Sequence, residues 1–143
     1  MGSVYVAVYQ PDGQTLGTHH WALCLETLTE TTIFQIVGQS NSFKYDELTA
    51  KPDNSRRHLQ NVDVANVDDA DRFRQVVRAQ RIDNDMYHWG CEQWVMDVLG
   101  SLIEEDVISD CYHFLKSPLP VRLRTTFLPH IFIPPSLLAF HLV

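Results

Sequence analysis

Basic residues are scarce in this chain. Its 143 residues hold 11 Lys and Arg against 18 Asp and Glu, a formal charge of −7 with a pI near 5.3. Contact with a phosphate backbone needs a concentrated basic surface, so no nucleic-acid partner is expected. The basic run "RFRQVVRAQR" (72–81) follows "DVANVDDAD" and reads as a solvated helix face. Cysteine is sparse too. Cys24, Cys91 and Cys111 are odd in number and widely spaced, which argues against a disulfide framework and for a reduced, cytoplasmic setting. No Gly-rich phosphate loop, Gly-x-Ser-x-Gly elbow, His-Glu-x-x-His or Asn-x-Ser/Thr occurs, and no cofactor is implied. The start, "MGSVYVAVYQPDG", lacks the basic and long apolar regions of a secretory signal. Val6 stands where a myristoylation motif wants Ser or Thr.

Hydrophobic residues make up 45% of the chain, enough for one ordinary core, so a single domain over 1–125 is expected. The remaining "TFLPHIFIPPSLLAFHLV" (126–143) has no Asp, Glu, Lys or Arg. Pro129, Pro134 and Pro135 break it as a helix, so it reads as an apolar tail packed on the domain or extending from it. In the second case it is a candidate homodimer or partner contact.

The pattern changes period along the chain. "SVYVAVYQ" (3–10) alternates as a strand, with "PDG" as a turn. "HWALCLE" (20–26) and "TTIFQIVG" (31–38) read as a hairpin across "TLTE". "SFKYDEL" (42–48) is ambiguous, and "LQNVDVANV" (59–67) reads as a strand. A helix is expected over 68–81, N-capped by Asp68. From Cys91 the stripe Trp94, Val95, Val98, Leu99, Leu102, Ile103 predicts a second helix, and 105–117 a third. Strands followed by helices imply an α+β fold, an antiparallel sheet with helices on one side.

Chemistry concentrates at Cys91. A thiol attacks as its thiolate, and a helix N-terminus favours that anion through unpaired N–H groups. Gly90 precedes Cys91 and the apolar stripe begins three residues later, so Cys91 sits at such an end; Glu92 works against the anion. A paired histidine is therefore required. His20 opens an apolar strand, a rigid place to present an imidazole, whereas His19 points the other way and His88 lies on a loop. Gln35 is the one uncharged amide inside an apolar strand. It either orients His20 or is an ordinary edge position. Cys24 shares a face with His20 but lies about 13 Å along the strand and reads, with Cys111, as a buried hydrophobe. A zinc site from His88, Cys91, Cys111 and His113 is disfavoured, since residues two apart on a helix point away from each other; no metal is expected.

These motifs resemble the circularly permuted branch of NlpC-type, papain-like cysteine hydrolases, which includes lecithin:retinol acyltransferase-like and PPPDE-type proteins. There a His-aromatic-small-aliphatic strand comes first and an Asn-Cys-x-x-aromatic helix start comes late. His20-Trp21-Ala22-Leu23 and Cys91-Glu92-Gln93-Trp94 match, with Gly90 where asparagine is common. Small fungal proteins with "HWAL" and "Cys-x-x-Trp-Val" look similar. The resemblance implies Cys91 as nucleophile, His20 as base and then acid, and Gln35 as orienter. The backbone N–H of Cys91 would help bind an oxyanion. His19, Trp21, Trp89, Gly90 and Trp94 are the candidate substrate-binding positions. The expected activity is hydrolysis or acyl transfer on an amide, ester or thioester, with a small-molecule, peptide or acyl substrate. The alternatives are a non-hydrolytic relative that binds or cyclises an apolar metabolite, and an interaction module docking through 126–143.

Overall fold

The computed structural model describes residues 1–11 and 19–109. The predicted turn at 11–13, most of the predicted helix at 105–117 and the tail at 126–143 lie wholly or partly outside them. The chain forms strands β1 (Gly2–Tyr9), β2 (His20–Glu26), β3 (Thr31–Val37), β4 (Lys44–Thr49) and β5 (His58–Val67). Helices α1 (Ala70–Ala79) and α2 (Cys91–Glu104) follow, with a short 3-10 turn at Pro52–Asn54 between β4 and β5. The strands make one antiparallel sheet in the order β4-β3-β2-β1-β5, with both helices on one face, so the α+β reading holds.

Strand alternation divides the core in two. Val4, Val6, Val8, Trp21, Leu23, Leu25, Phe34 and Ile36 face the helices. They meet Phe73, Val76 and Val77 of α1 and Trp94, Val95, Val98, Leu99 and Leu102 of α2. Tyr5, Ala7, Tyr9, Ala22, Cys24 and Ile33 form a smaller cluster on the other face. Burying each large apolar side chain stabilises the fold by about 1.5–3 kcal/mol before chain entropy is counted. The helix-facing layer therefore dominates. Phe34 and Phe73 meet edge to face, with ring centres 5.6 Å apart, and lock α1 onto β3.

Both helix starts and the α2 end have local causes. Asp69, rather than the expected Asp68, caps α1: its carboxylate accepts the Arg72 N–H at 3.0 Å. At α2, Gln93 Oε1 accepts the Gly90 N–H at 2.9 Å, half of a capping box, since glycine returns no side chain. The α2 helix stops at Glu104 because Asp106 adopts a left-handed φ of 55°. The Asp106 N–H then bonds the Ile103 carbonyl and the Val107 N–H the Leu102 carbonyl, a Schellman closure. Residues 105–109 consequently form turns where the sequence pattern suggested a new helix.

The sheet is not paired along its whole length. β2 and β3 are in register from Leu23↔Phe34 to Glu26↔Thr31 and no further. β2 runs on beside β1 to Tyr9↔His20, and β3 runs on beside β4 to Val37↔Lys44. Residues 20–22 and 35–37 thus part from each other in a wedge. The functional candidates collect at this wedge.

Candidate active site

Cys91 is the first residue of α2 and partly buried. Its Sγ donates to the backbone carbonyl of His19 at 3.7 Å, a weak bond. The Trp21 backbone N–H also points at the sulfur. Backbone groups of alternate strand residues face opposite neighbours. Thr27, in phase with His19 and Trp21, gives its N–H to Glu30 across the β2–β3 hairpin. The sulfur therefore lies on the β3-facing edge of β2, in the wedge that β3 vacates.

His20 lies between these two backbone contacts, and its ring projects to the face away from the helices. There it leans on Tyr9, with ring centres 5.6 Å apart. Its Nε2 and the Gln35 Oε1 are 2.7 Å apart. Gln35 in turn donates from Nε2 to Asp46 Oδ2 at 2.9 Å. Of the two readings of Gln35, the structure thus shows the one in contact with His20. Cys91 and His20 make no hydrogen bond with each other among the described residues. Both nonetheless line one cavity of about 1260 Å³, with Gln35, His19, Trp89 and Gly90 in its wall.

Trp21 and Trp94 were expected to touch substrate and do not line this cavity. They are 1% and 0% exposed and belong to the helix-facing core. The reason is parity and period: Trp21 alternates away from His20, and Trp94 lies on the apolar stripe of α2. Trp89 is held by a bond from its indole N–H to Asp97 at 3.4 Å and by an edge contact with Phe43. His88, on its loop at φ 65°, packs against Tyr87 with the rings tilted by 60° and their centres 4.0 Å apart. Cys24 is fully buried, and burial raises its thiol to about 12, as suits a core residue. Cys111 and His113 lie outside the described residues.

The electrostatics depart from the helix-end expectation. Burial pushes the Cys91 thiol up to about 11, and the Glu92 carboxylate adds to the rise. The N–H groups of Trp21, Glu92 and Cys91 itself oppose it without prevailing. Glu92 is only 8% exposed, and burial alone raises its carboxyl to about 7. In the free protein the sulfur is a protonated thiol.

The sequence pattern missed Asp46. It sits directly opposite Gln35 in the β3–β4 register. The only hint was a carboxylate inside "KYDELT", a segment too polar to read as a strand.

Residues 3–113 match the model of a family described as a family of unknown function (DUF6914). No curated protein and no solved structure matches the chain.

Proposed function

The chain belongs to this DUF6914 family, and from the geometry of the wedge we propose that it is a thiol-dependent hydrolase or acyltransferase acting on an amide, ester or thioester. One observation carries the reading. Cys91, at a helix start, and the hydrogen-bonded His20–Gln35 pair line the same cavity, and the sulfur touches the backbone on either side of His20. A histidine strand preceding a cysteine helix also fits the permuted papain-like resemblance.

With a thiol near 11, a standing thiolate–imidazolium pair does not supply the nucleophile. The sulfur leaves the His19 carbonyl, and its proton passes to the His20 ring as Sγ bonds to the substrate carbonyl carbon. The carbonyl electron pair moves to oxygen, facing the N–H of Cys91 at the positive end of α2. The tetrahedral species then collapses. The C–X bond breaks, and the leaving amine, alkoxide or thiolate takes the proton from His20. Water or an amine repeats the sequence on the thioester and restores the thiol.

Intact-mass analysis after exposure to p-nitrophenyl acetate and to a short acyl thioester tests this. The wild type acquires one hydroxylamine-labile acyl group, mapped to Cys91. Cys91→Ala acquires none, and His20→Ala acquires it about 100-fold more slowly. Equal turnover of these compounds by wild type and Cys91→Ala overturns the reading.

A second reading has its own support: the thiol is held neutral and already bonded to a carbonyl. On that reading the cavity binds or steers an apolar metabolite without acyl chemistry. Full function of Cys91→Ala in cells would favour it over the hydrolase.

A further inference from the structure

The bond network fixes more than the position of His20. A carboxylate accepts hydrogen bonds and cannot donate them. The side-chain nitrogen of Gln35 therefore faces Asp46, at 2.9 Å, and its oxygen faces His20, at 2.7 Å. Turning the amide over would set Gln35 Oε1 against Asp46 Oδ2, two acceptors at bonding distance. The oxygen presented to His20 is likewise an acceptor only, so Nε2 of the imidazole must carry the hydrogen. A neutral imidazole has one N–H, which leaves Nδ1 with the free lone pair. Nδ1 has no other partner among the described residues.

We infer that Asp46 is a positioning residue: by fixing the amide of Gln35, it holds the His20 proton on Nε2 and reserves Nδ1 as the basic nitrogen. The strands build this in. Gln35 and Asp46 are direct cross-strand partners, so their side chains share a face and reach each other without a loop. His20 and Gln35 lie on that same face across the wedge, where β2 and β3 no longer bond through their backbones. The charged end of the chain strengthens the Gln35 bond. It also gives the amide a directional preference that a second amide at position 46 would not, because an asparagine both donates and accepts.

The inference rests on the proposed function only in giving Nδ1 something to do; the tautomer itself is measurable on an inactive protein. Long-range ¹H–¹⁵N correlation of the His20 ring, in the full chain at alkaline pH, reports which nitrogen bears hydrogen. The wild type shows the Nε2–H form. Asp46→Ala and Asp46→Asn show a mixture with the Nδ1–H form, and Asp46→Glu restores the wild-type spectrum. Position 46 is on the edge strand and half-buried, so these variants leave the core intact. If acyl transfer is detected, Asp46→Ala lowers kcat roughly 10- to 100-fold with KM nearly unchanged. An Nδ1–H wild type, or the same tautomer in wild type and Asp46→Ala, overturns the inference. A tautomer change without any acyl adduct upholds it and defeats the hydrolase reading instead.

Discussion

Glu92 and Cys91 follow each other at the start of α2, and burial acts on both in the same direction. For Glu92 the consequence reaches stability. Its carboxyl titrates near 7 in the folded chain, against an ordinary value near 4.5. The folded state therefore holds this proton more tightly than the unfolded state does. The stabilisation is complete below the ordinary carboxyl range and is lost as pH rises through about 7. At 1.36 kcal/mol per pH unit the loss is on the order of 3 kcal/mol at most. Glu92→Gln keeps the shape and removes the titration. Urea denaturation should find the variant more stable than wild type by roughly 1–3 kcal/mol above pH 8 and within about 0.5 kcal/mol of it near pH 4. A difference that does not change with pH would contradict this account. The same substitution removes a negative charge that raises the Cys91 thiol. Its pKa should fall, and iodoacetamide should label Cys91 faster at a fixed alkaline pH.

At the scale of elements, apolar contact and surface charge contribute unequally. α1 meets the sheet through Phe73, which is fully buried against Phe34, and through a two-pronged pair from Arg78 to Glu47 at 2.8 and 2.9 Å. The Arg78 side chain is 53% exposed and Glu47 25%, so solvent screening reduces the pair. Phe73→Ala should cost about 3–5 kcal/mol in chemical denaturation and Arg78→Ala under about 1. The reverse order would mean that the helix is held by charge. The start of α2 offers a finer test. Gly90 has φ −159°, extended backbone open to any residue. A Cβ there meets only Gln93 Oε1 and Phe43 Cζ, both at 3.7 Å. Gly90→Asn, the residue common in the resembling proteins, should fold normally and gain a few tenths of a kcal/mol from a cap bond. Elements with a strong apolar period were legible in the sequence: β1, the β2–β3 hairpin, β5 and both described helices. β4 was not, because an edge strand carries charge along its length, and "KYDELT" hides its alternation. Asp46 was hidden with it. Trp21 and Trp94 were misplaced for a different reason: their nearness in sequence to His20 and Cys91 outweighed strand parity and helix period, which both pointed to the core.

On the scale of the whole molecule, the first strand becomes an interior strand of the helix-covered sheet. β1 is flanked by β2, a neighbour in sequence, and by β5, which arrives more than fifty residues later. No local pattern announces that second pairing, since period and turn chemistry specify elements and hairpins but not which distant edges meet. The parting of β2 from β3 was equally silent. It is a failure of pairing between strands with intact alternation, and it admits the sulfur of Cys91 to the sheet edge. Hydrogen exchange can read both features in one experiment. Amides of β1 are bonded on one side or the other along the strand and should exchange only with global unfolding. Just past the end of β4 the Ala50 N–H bonds back to Thr31, which puts Asp46 and Leu48 in the inward phase and Tyr45 and Glu47 in the outward one. The inward pair should be protected and the outward pair exchange fast. At the wedge, the Trp21 N–H has sulfur as its acceptor, whereas Leu23 lies in the paired region with Phe34. Cys91→Ala should therefore accelerate exchange at Trp21 by about tenfold or more, the loss of roughly 1.4 kcal/mol of local protection, and leave Leu23 unchanged. Equal acceleration at both amides would mean that the substitution loosens the whole sheet. No change at Trp21 would place the sulfur outside the wedge and remove the geometry on which the thiol chemistry depends.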